Sequence, residues 1–340
     1  VKANIKPRIQ LENRPALQEH IPLAVPFIIN VDPSDKCNLL CRFCPTGDHE
    51  LMRETPGRNH GPMGLDLFRK IVSDICTFPR PIKVLRLYKD GEPLSNPHFA
   101  NMVKCAKDSG CCQVVDTTTN AVLLNKEKAD GIIRAGLDRM NISIYGMSKD
   151  QYQKFSGRDV SFEKLVENIR YLHEIRGKCK ILIKINGDAI SDDNRRMFYE
   201  TFGDICDEIF VEHIMSCWPD FDIESHGVTA NPLVGIYGQP INEVLVCPYI
   251  FYSFSINSSG MASACFLDWQ RNLIIGDVKT ESVPDIWNGA RMRAHQLLML
   301  RGERNSHPTC WNCDQLRRGM PDNIDFYRET LLSRLVQIRQ

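Results

Sequence analysis

The sequence predicts an α/β protein built on a parallel sheet, either barrel-like or doubly wound. Three observations predict it. Six short strand-like runs alternate with segments of helical period. That alternation stops after about Cys217, where Gly, Pro and Asn become frequent. The composition, 43% hydrophobic and 25% charged over 340 residues, is that of a chain able to bury a real core.

The elements follow in order. Residues 27–31 (FIINV) form an apolar run short enough for a buried strand. Residues 83–88 (KVLRLY) alternate apolar with polar or amphipathic side chains, which is the strand period. Residues 113–115 lead into 117–120, and 140–145 (MNISIY), 181–185 (ILIKI) and 208–212 (EIFVE) complete the set. Between them, 65–75, 99–109, 126–135, 162–175 and 193–202 carry apolar residues at helical spacing. Asn96-Pro97 marks the start of the second helix and Gly136 the end of the third. Strands separated by helices need crossover connections, and crossovers set strands parallel.

Residues 220–240 read as a linker or lid. A hairpin is expected around Asn257-Ser258-Ser259-Gly260, and a helix near 290–301. The expected organisation is an N-terminal extension (1–25), a strand–helix domain (26–219), the linker (220–240), a cysteine-bearing domain (241–318) and a C-terminal helix (319–340).

Lys+Arg and Asp+Glu both number 42, so no net charge draws the chain to nucleic acid or an acidic membrane. No apolar run reaches the ~20 residues needed to span a bilayer. Residues 1–20 are charged and lack the apolar centre of a signal peptide. The expectation is a cytoplasmic protein with no nucleic-acid or membrane partner.

Fourteen cysteines then call for thiolate–metal chemistry. Cys37, Cys41 and Cys44 form a C-x3-C-x2-C cluster directly after the first strand. Soft sulfur ligands favour zinc or iron–sulfur. Structural zinc wants four ligands, and here a fourth would have to come from Asp48 or His49. An iron–sulfur cluster with one open iron needs only three.

On these residues the sequence resembles the radical S-adenosylmethionine (SAM) superfamily, whose motif is C-x3-C-x2-C with an aromatic, here Phe43, before the last cysteine. The resemblance implies a [4Fe–4S] cluster on the three cysteines. SAM chelates its open iron, and one electron cleaves SAM to methionine and a 5′-deoxyadenosyl radical. Asp90-Gly91-Glu92-Pro93 is similar to the family's Gly-Gly-Glu-Pro, which contacts the SAM amino group. Asp90 replaces the first glycine, leaving Gly91 for backbone approach and Glu92 for the carboxylate. Thr119-Asn120 resembles the family's Thr-Asn-Gly. Ser143 and Arg158 match positions that contact the SAM ribose or carboxylate, and Asn186 caps the fifth strand. The resemblance implies a partial (β/α)6 barrel with these groups at strand C-terminal ends, where such barrels place their chemistry.

Cys247, Cys265, Cys310 and Cys313 form a second set, ending in C-x2-C. Spacing alone would suit closed zinc. The pattern also resembles the Twitch/SPASM extension of radical SAM enzymes, in its shorter form with one auxiliary [4Fe–4S] cluster. Full protein ligation implies electron transfer. The remaining cysteines are read mostly as small buried apolar residues.

The resemblance to carbohydrate- and aminocyclitol-modifying members implies oxidation of a sugar-like alcohol, with the auxiliary cluster as electron acceptor. Epimerisation, decarboxylation and peptide modification are the alternatives; a zinc-bearing binding module is a further one. Asp268 is the expected base and Cys217 the hydrogen donor of an epimerase. Tyr88, Tyr145, Glu212, His213 and Trp218 are expected around the substrate. The expected cofactors are SAM and two [4Fe–4S] clusters. The expected partners are a carbohydrate-like small molecule and an external one-electron donor such as flavodoxin or ferredoxin.

Overall fold

The structure is a computed structural model and describes residues 1–10, 13–319 and 321–337. Strands form where the apolar runs lie: β1 (Asn4–Ile5), β2 (Ile28–Val31), β3 (Ile82–Leu87), β4 (Cys112–Thr119), β5 (Arg139–Ile144), β6 (Lys180–Asn186) and β7 (Glu208–Glu212). The sheet order is β7-β6-β5-β4-β3-β2, with every neighbouring pair parallel. Ile29, Leu85, Val115, Ile142 and Ile183 are buried in one core. This is the parallel α/β fold expected, with the helices as crossovers.

Those helices begin with α1 (Leu17–His20), α2 (His49–Glu54), α3 (Leu65–Ile75), α4 (Phe99–Ser109) and α5 (Lys126–Arg134). Then follow α6 (Lys149–Ser156), α7 (Phe162–Ile175) and α8 (Asp192–Phe202). Side-chain oxygens of Asn125, Ser161 and Ser191 cap the starts of α5, α7 and α8. Gly136, with φ +88°, follows the end of α5 as expected. Helices α2 and α6 are short and were hidden in what reads as loop. Asp48, weighed above as a zinc ligand, instead caps α2 by accepting from the amides of Glu50 and Leu51.

The second half grows onto the first. Strand β8 (Ser253–Ile256) pairs parallel with β2, and β9 (Met261–Ser263) and β10 (Ile274–Asp277) extend the sheet antiparallel. The Asn257–Gly260 turn joins β8 to β9, as expected. Helices α9 (Val283–Asn288), α10 (Ala290–Leu300), α11 (Gln315–Arg318) and α12 (Arg328–Gln337) complete the chain.

Three boundaries differ from expectation. The N-terminal segment joins the sheet, because β1 pairs parallel with β7. The last helix starts at Arg328 rather than 319, directly after a 3-10 turn at Asp325–Tyr327; Met320 and 338–340 lie outside the described residues. The 220–240 segment is irregular but packed. Phe221, Ile223 and Val228 form a small second core with Met52, Ile214 and Trp269.

Candidate active site

The loop after β2 carries Cys37, Cys41 and Cys44. It is tied to the end of α6 by Leu40 N–H to Ser156 O at 2.7 Å and Arg42 N–H to Phe155 O at 3.2 Å. It closes on itself at Gly47, where a Cβ would strike the backbone of Cys41. All three cysteines line one cavity of about 560 Å³. Burial, then Glu92, pushes the Cys37 thiol up to about 12. Burial and the two neighbouring sulfurs push Cys41 well above its ordinary value. Thiolates so placed need positive charge between them, which an iron cluster supplies.

Both sets are all-sulfur: Cys37, Cys41 and Cys44 share one loop and act on one another, and Cys247, Cys265, Cys310 and Cys313 are gathered by the second half. Soft thiolate donors of this kind fit an iron–sulfur cluster, with one iron left open by three ligands and none by four.

The ends of β3, β4 and β5 supply the polar wall beside the loop. Gly91 packs so tightly that a Cβ would strike the carbonyl oxygens of Ser34 and Lys36. Glu92 is 2% exposed, and its carboxylate accepts from Thr119 Oγ1 at 2.5 Å and from the Leu94 and Asn120 amides at 2.9 Å each. Asn120 Nδ2 donates to Asn38 Oδ1 at 2.8 Å and lies 3.8 Å from Cys37 Sγ. Glu92 thus ties the 91–95 turn to the end of β4, next to the cysteine loop. Phe43 lies 5.6 Å from Tyr145, ring to ring. Phe43, Ser143 and Tyr145 line the cavity. Asn186 lines a side chamber instead. Arg158 is corrected: it is exposed on the surface after α6 and lines none of the cavities described.

Asp90 does something that its position did not announce. Its buried carboxylate meets Arg271 Nη2 at 2.6 Å, Lys89 Nζ at 2.8 Å and Arg58 Nη1 at 3.4 Å. Burial opposes the charged form, but Arg271, Lys89 and Arg58 together hold this carboxyl well below the usual range. Arg58 and Lys89 also donate to the carbonyls of Trp269 and Asp268. The turn beside the cysteine loop is thereby bolted to the 268–271 loop of the second half.

Asp268 is corrected too. Its side chain is fully buried and accepts from Ser263 Oγ at 2.7 Å, Asn272 N at 2.9 Å and Leu273 N at 3.0 Å. It shapes its own loop and does not line the cavity, so it is no base for a substrate.

Cys247, Cys265, Cys310 and Cys313 come together although far apart in sequence. Burial raises all four, and for Cys265 the next causes are Cys313, Cys247 and Cys310. None of the four lines the cavity. Tyr249, Phe266, Leu267 and Gln315 do, each within two residues of one of those cysteines. Cys217 lines the cavity, and its thiol is pushed up to about 12 by burial, then by Cys44 and Cys313. It therefore stands between the two sets.

Tyr88, Tyr145, Glu212 and Trp218, the residues expected around a substrate, line the cavity. Glu212 Oε2 accepts from Lys184 Nζ at 2.6 Å. His213 lies in the side chamber, with Nδ1 2.8 Å from Asp188 Oδ1. Sequence reasoning missed Lys184, although a lysine inside ILIKI was the signal. It also missed Arg8, which hydrogen-bonds the Tyr88 hydroxyl and which nothing in the local sequence marks. Of the remaining cysteines, Cys111, Cys179 and Cys206 are buried and Cys76 is exposed.

Residues 31–205, just over half the chain, match the radical SAM superfamily. The chain belongs to that superfamily. Residues 247–314 match the SPASM iron–sulfur cluster-binding domain. This radical SAM enzyme therefore uses SAM and two [4Fe–4S] clusters, as expected. Such enzymes act on small-molecule or peptide substrates with an external reductant.

It is 27% identical over 143 residues to a probable GTP 3′,8-cyclase of Methanosarcina mazei, covering 42% of this chain and 40% of that protein. It is 26% identical over 159 residues to a dTDP-4-amino-4,6-dideoxy-D-glucose ammonia-lyase of Streptomyces venezuelae, covering 45% and 30%. The chain thus spans less than half the length of either relative. The structure of BtrN in complex with AdoMet and 2-DOIA shares the fold, with TM-score 0.55 and 14% identity over 85% of this chain and 93% of that one. Among the described residues, no helix is long and apolar enough to cross a membrane.

Proposed function

We propose that this radical SAM enzyme oxidises an alcohol carbon of a carbohydrate-like small molecule. One observation carries the reading. The first three cysteines line a cavity that the second four do not, and Tyr249, Phe266, Leu267 and Gln315, each within two residues of one of those four, line it too. Cys37, Cys41 and Cys44 would hold the SAM cluster, with Phe43, Gly91, Glu92, Thr119, Asn120 and Ser143 around SAM. Cys247, Cys265, Cys310 and Cys313 would hold the auxiliary cluster.

When bound, SAM on the first cluster supplies a hydrogen-atom acceptor after one-electron reduction, and the auxiliary cluster supplies a one-electron acceptor. The substrate carbon then loses a hydrogen atom, its hydroxyl loses a proton, and one electron leaves, so a ketone remains. Glu212, oriented by Lys184, takes the hydroxyl proton in place of the buried Asp268. Tyr88, Tyr145 and Trp218 bound the substrate. The cavity volume falls in the ~300–1,000 Å³ range of small-ligand sites. A relative that acts on an amino sugar nucleotide is consistent with the substrate class.

Epimerisation is the second reading, favoured by Cys217 on the cavity wall. The two separate by label. A substrate deuterated at the reacting carbon should pass deuterium to 5′-deoxyadenosine, one per oxidised product, with no solvent hydrogen returned to that carbon. Solvent hydrogen at that carbon with inverted configuration would replace oxidation by epimerisation, with Cys217 as donor.

A further inference from the structure

The part of the cavity built by the N-terminal segment and β3 differs in charge from the part built by the cysteine loop. Arg8, Arg14, Lys83 and Arg86 line it. Two of them meet carboxylates. Arg14 pairs with Asp322 at 2.7 Å, and Arg86 Nε lies 3.5 Å from Asp116 Oδ2. At that longer distance the buried Arg86 Nε makes no hydrogen bond. The other two form no ion pair among the described residues. Arg8 donates to two neutral hydroxyls, of Tyr88 and, at 3.3 Å, of Thr118. The Lys83 ammonium lies over the Phe27 ring, 3.7 Å from its centroid.

Arg8 also feels Asp116, the carboxylate that Arg86 meets, so these four cations share two carboxylates, Asp116 and Asp322, and the surplus positive charge on a cavity wall is costly to desolvate unless an anion completes it. A carboxylate brings one charge, whereas a phosphate ester brings about two. The planar fork of Arg8 and the point charge of Lys83 both suit phosphate oxygens.

We infer that this end of the cavity binds the phosphate of a phosphorylated sugar, whose ring reaches toward Glu212 and Lys184. The inference deepens the carbohydrate reading and rests on it. Sugar phosphates and nucleotide-linked sugars share this chemistry.

Anaerobic calorimetry on the reconstituted, SAM-loaded protein tests it, with glucose 1-phosphate and uridine diphosphate against glucose and uridine. The phosphate-bearing probes should bind at least on the order of tenfold tighter, and their affinity should fall with salt. The tighter of the two identifies a sugar phosphate or a nucleotide-linked sugar. Arg8→Gln with Lys83→Gln should cost roughly tenfold or more of that affinity. Iron content and SAM affinity should hold, and Arg8→Lys with Lys83→Arg should retain most of the binding. Equal affinity for phosphate-bearing and phosphate-free probes overturns the inference. So does salt-independent binding, a readout that needs no variant. Phosphate binding without deuterium transfer leaves this site standing and removes the oxidation reading. Transfer from a phosphate-free sugar, with no phosphate binding, does the reverse.

Discussion

The first cysteine set comes from residues 37–44 and faces the cavity, whereas the second is gathered from residues 247–313 and faces none of it. The first needs only one loop, tethered to α6 and closed at Gly47. The second needs the folded C-terminal half to bring its sulfurs together. Three protein ligands leave a cluster one open position, and four close it. Openness beside polar strand ends suits binding and cleaving a cofactor. Closure, with Tyr249, Phe266 and Leu267 on the cavity wall and none of the four cysteines there, suits passing an electron without touching the substrate.

The largest expected effect breaks the first set. Changing Cys37, Cys41 and Cys44 to Ala should abolish SAM cleavage while about half of roughly eight irons per chain remains. Iron analysis with 5′-deoxyadenosine quantification reads both, and retained cleavage would move the SAM site elsewhere. Next, Cys310→Ala with Cys313→Ala should stop formation of oxidised product but spare some SAM cleavage. If both activities fell together with intact iron on the first set, the division of labour would be lost.

Glu92 sharpens the comparison by testing what keeps the open side in shape. Glu92→Gln leaves iron content nearly unchanged but disturbs three hydrogen bonds at once. It should cost about 1–3 kcal/mol of stability and weaken SAM binding roughly tenfold. Unaltered SAM affinity would make the 91–95 turn a bystander.

The smallest effect on catalysis lies where the two halves meet, in a group that acts on stability. Asp32 has no hydrogen-bond partner for its buried carboxylate, and burial and Asp90 push it up to about 8. The folded chain then keeps a proton that the unfolded chain releases near pH 4. Stability should fall as pH rises from about 4 to about 8, and the contribution is gone above that. Asp32→Asn should flatten this slope in thermal melts between pH 5 and pH 9. Parallel melting curves for the two proteins would place the titration in another group.

The parallel sheet was legible because its strands are apolar runs with helical segments between, as in residues 162–175, which form α7. The first cysteine set was legible because all its donors lie in one loop. The roles of Asp90 and Asp268 were not, because each is decided by partners distant in sequence or by a loop's own fold. Arg271 lies 181 residues from Asp90. Arg8 was silent for the same reason: it meets Tyr88 only because β1 joins the sheet beside β7.

The open–closed contrast is tested most directly by electron paramagnetic resonance of the reduced protein with and without SAM. In the wild type, SAM should shift one of two cluster signals. In the protein lacking Cys37, Cys41 and Cys44, the remaining signal should be the same with and without SAM. A SAM-induced shift of that remaining signal would show that the second set has an open iron, and would contradict the assignment of the two sites.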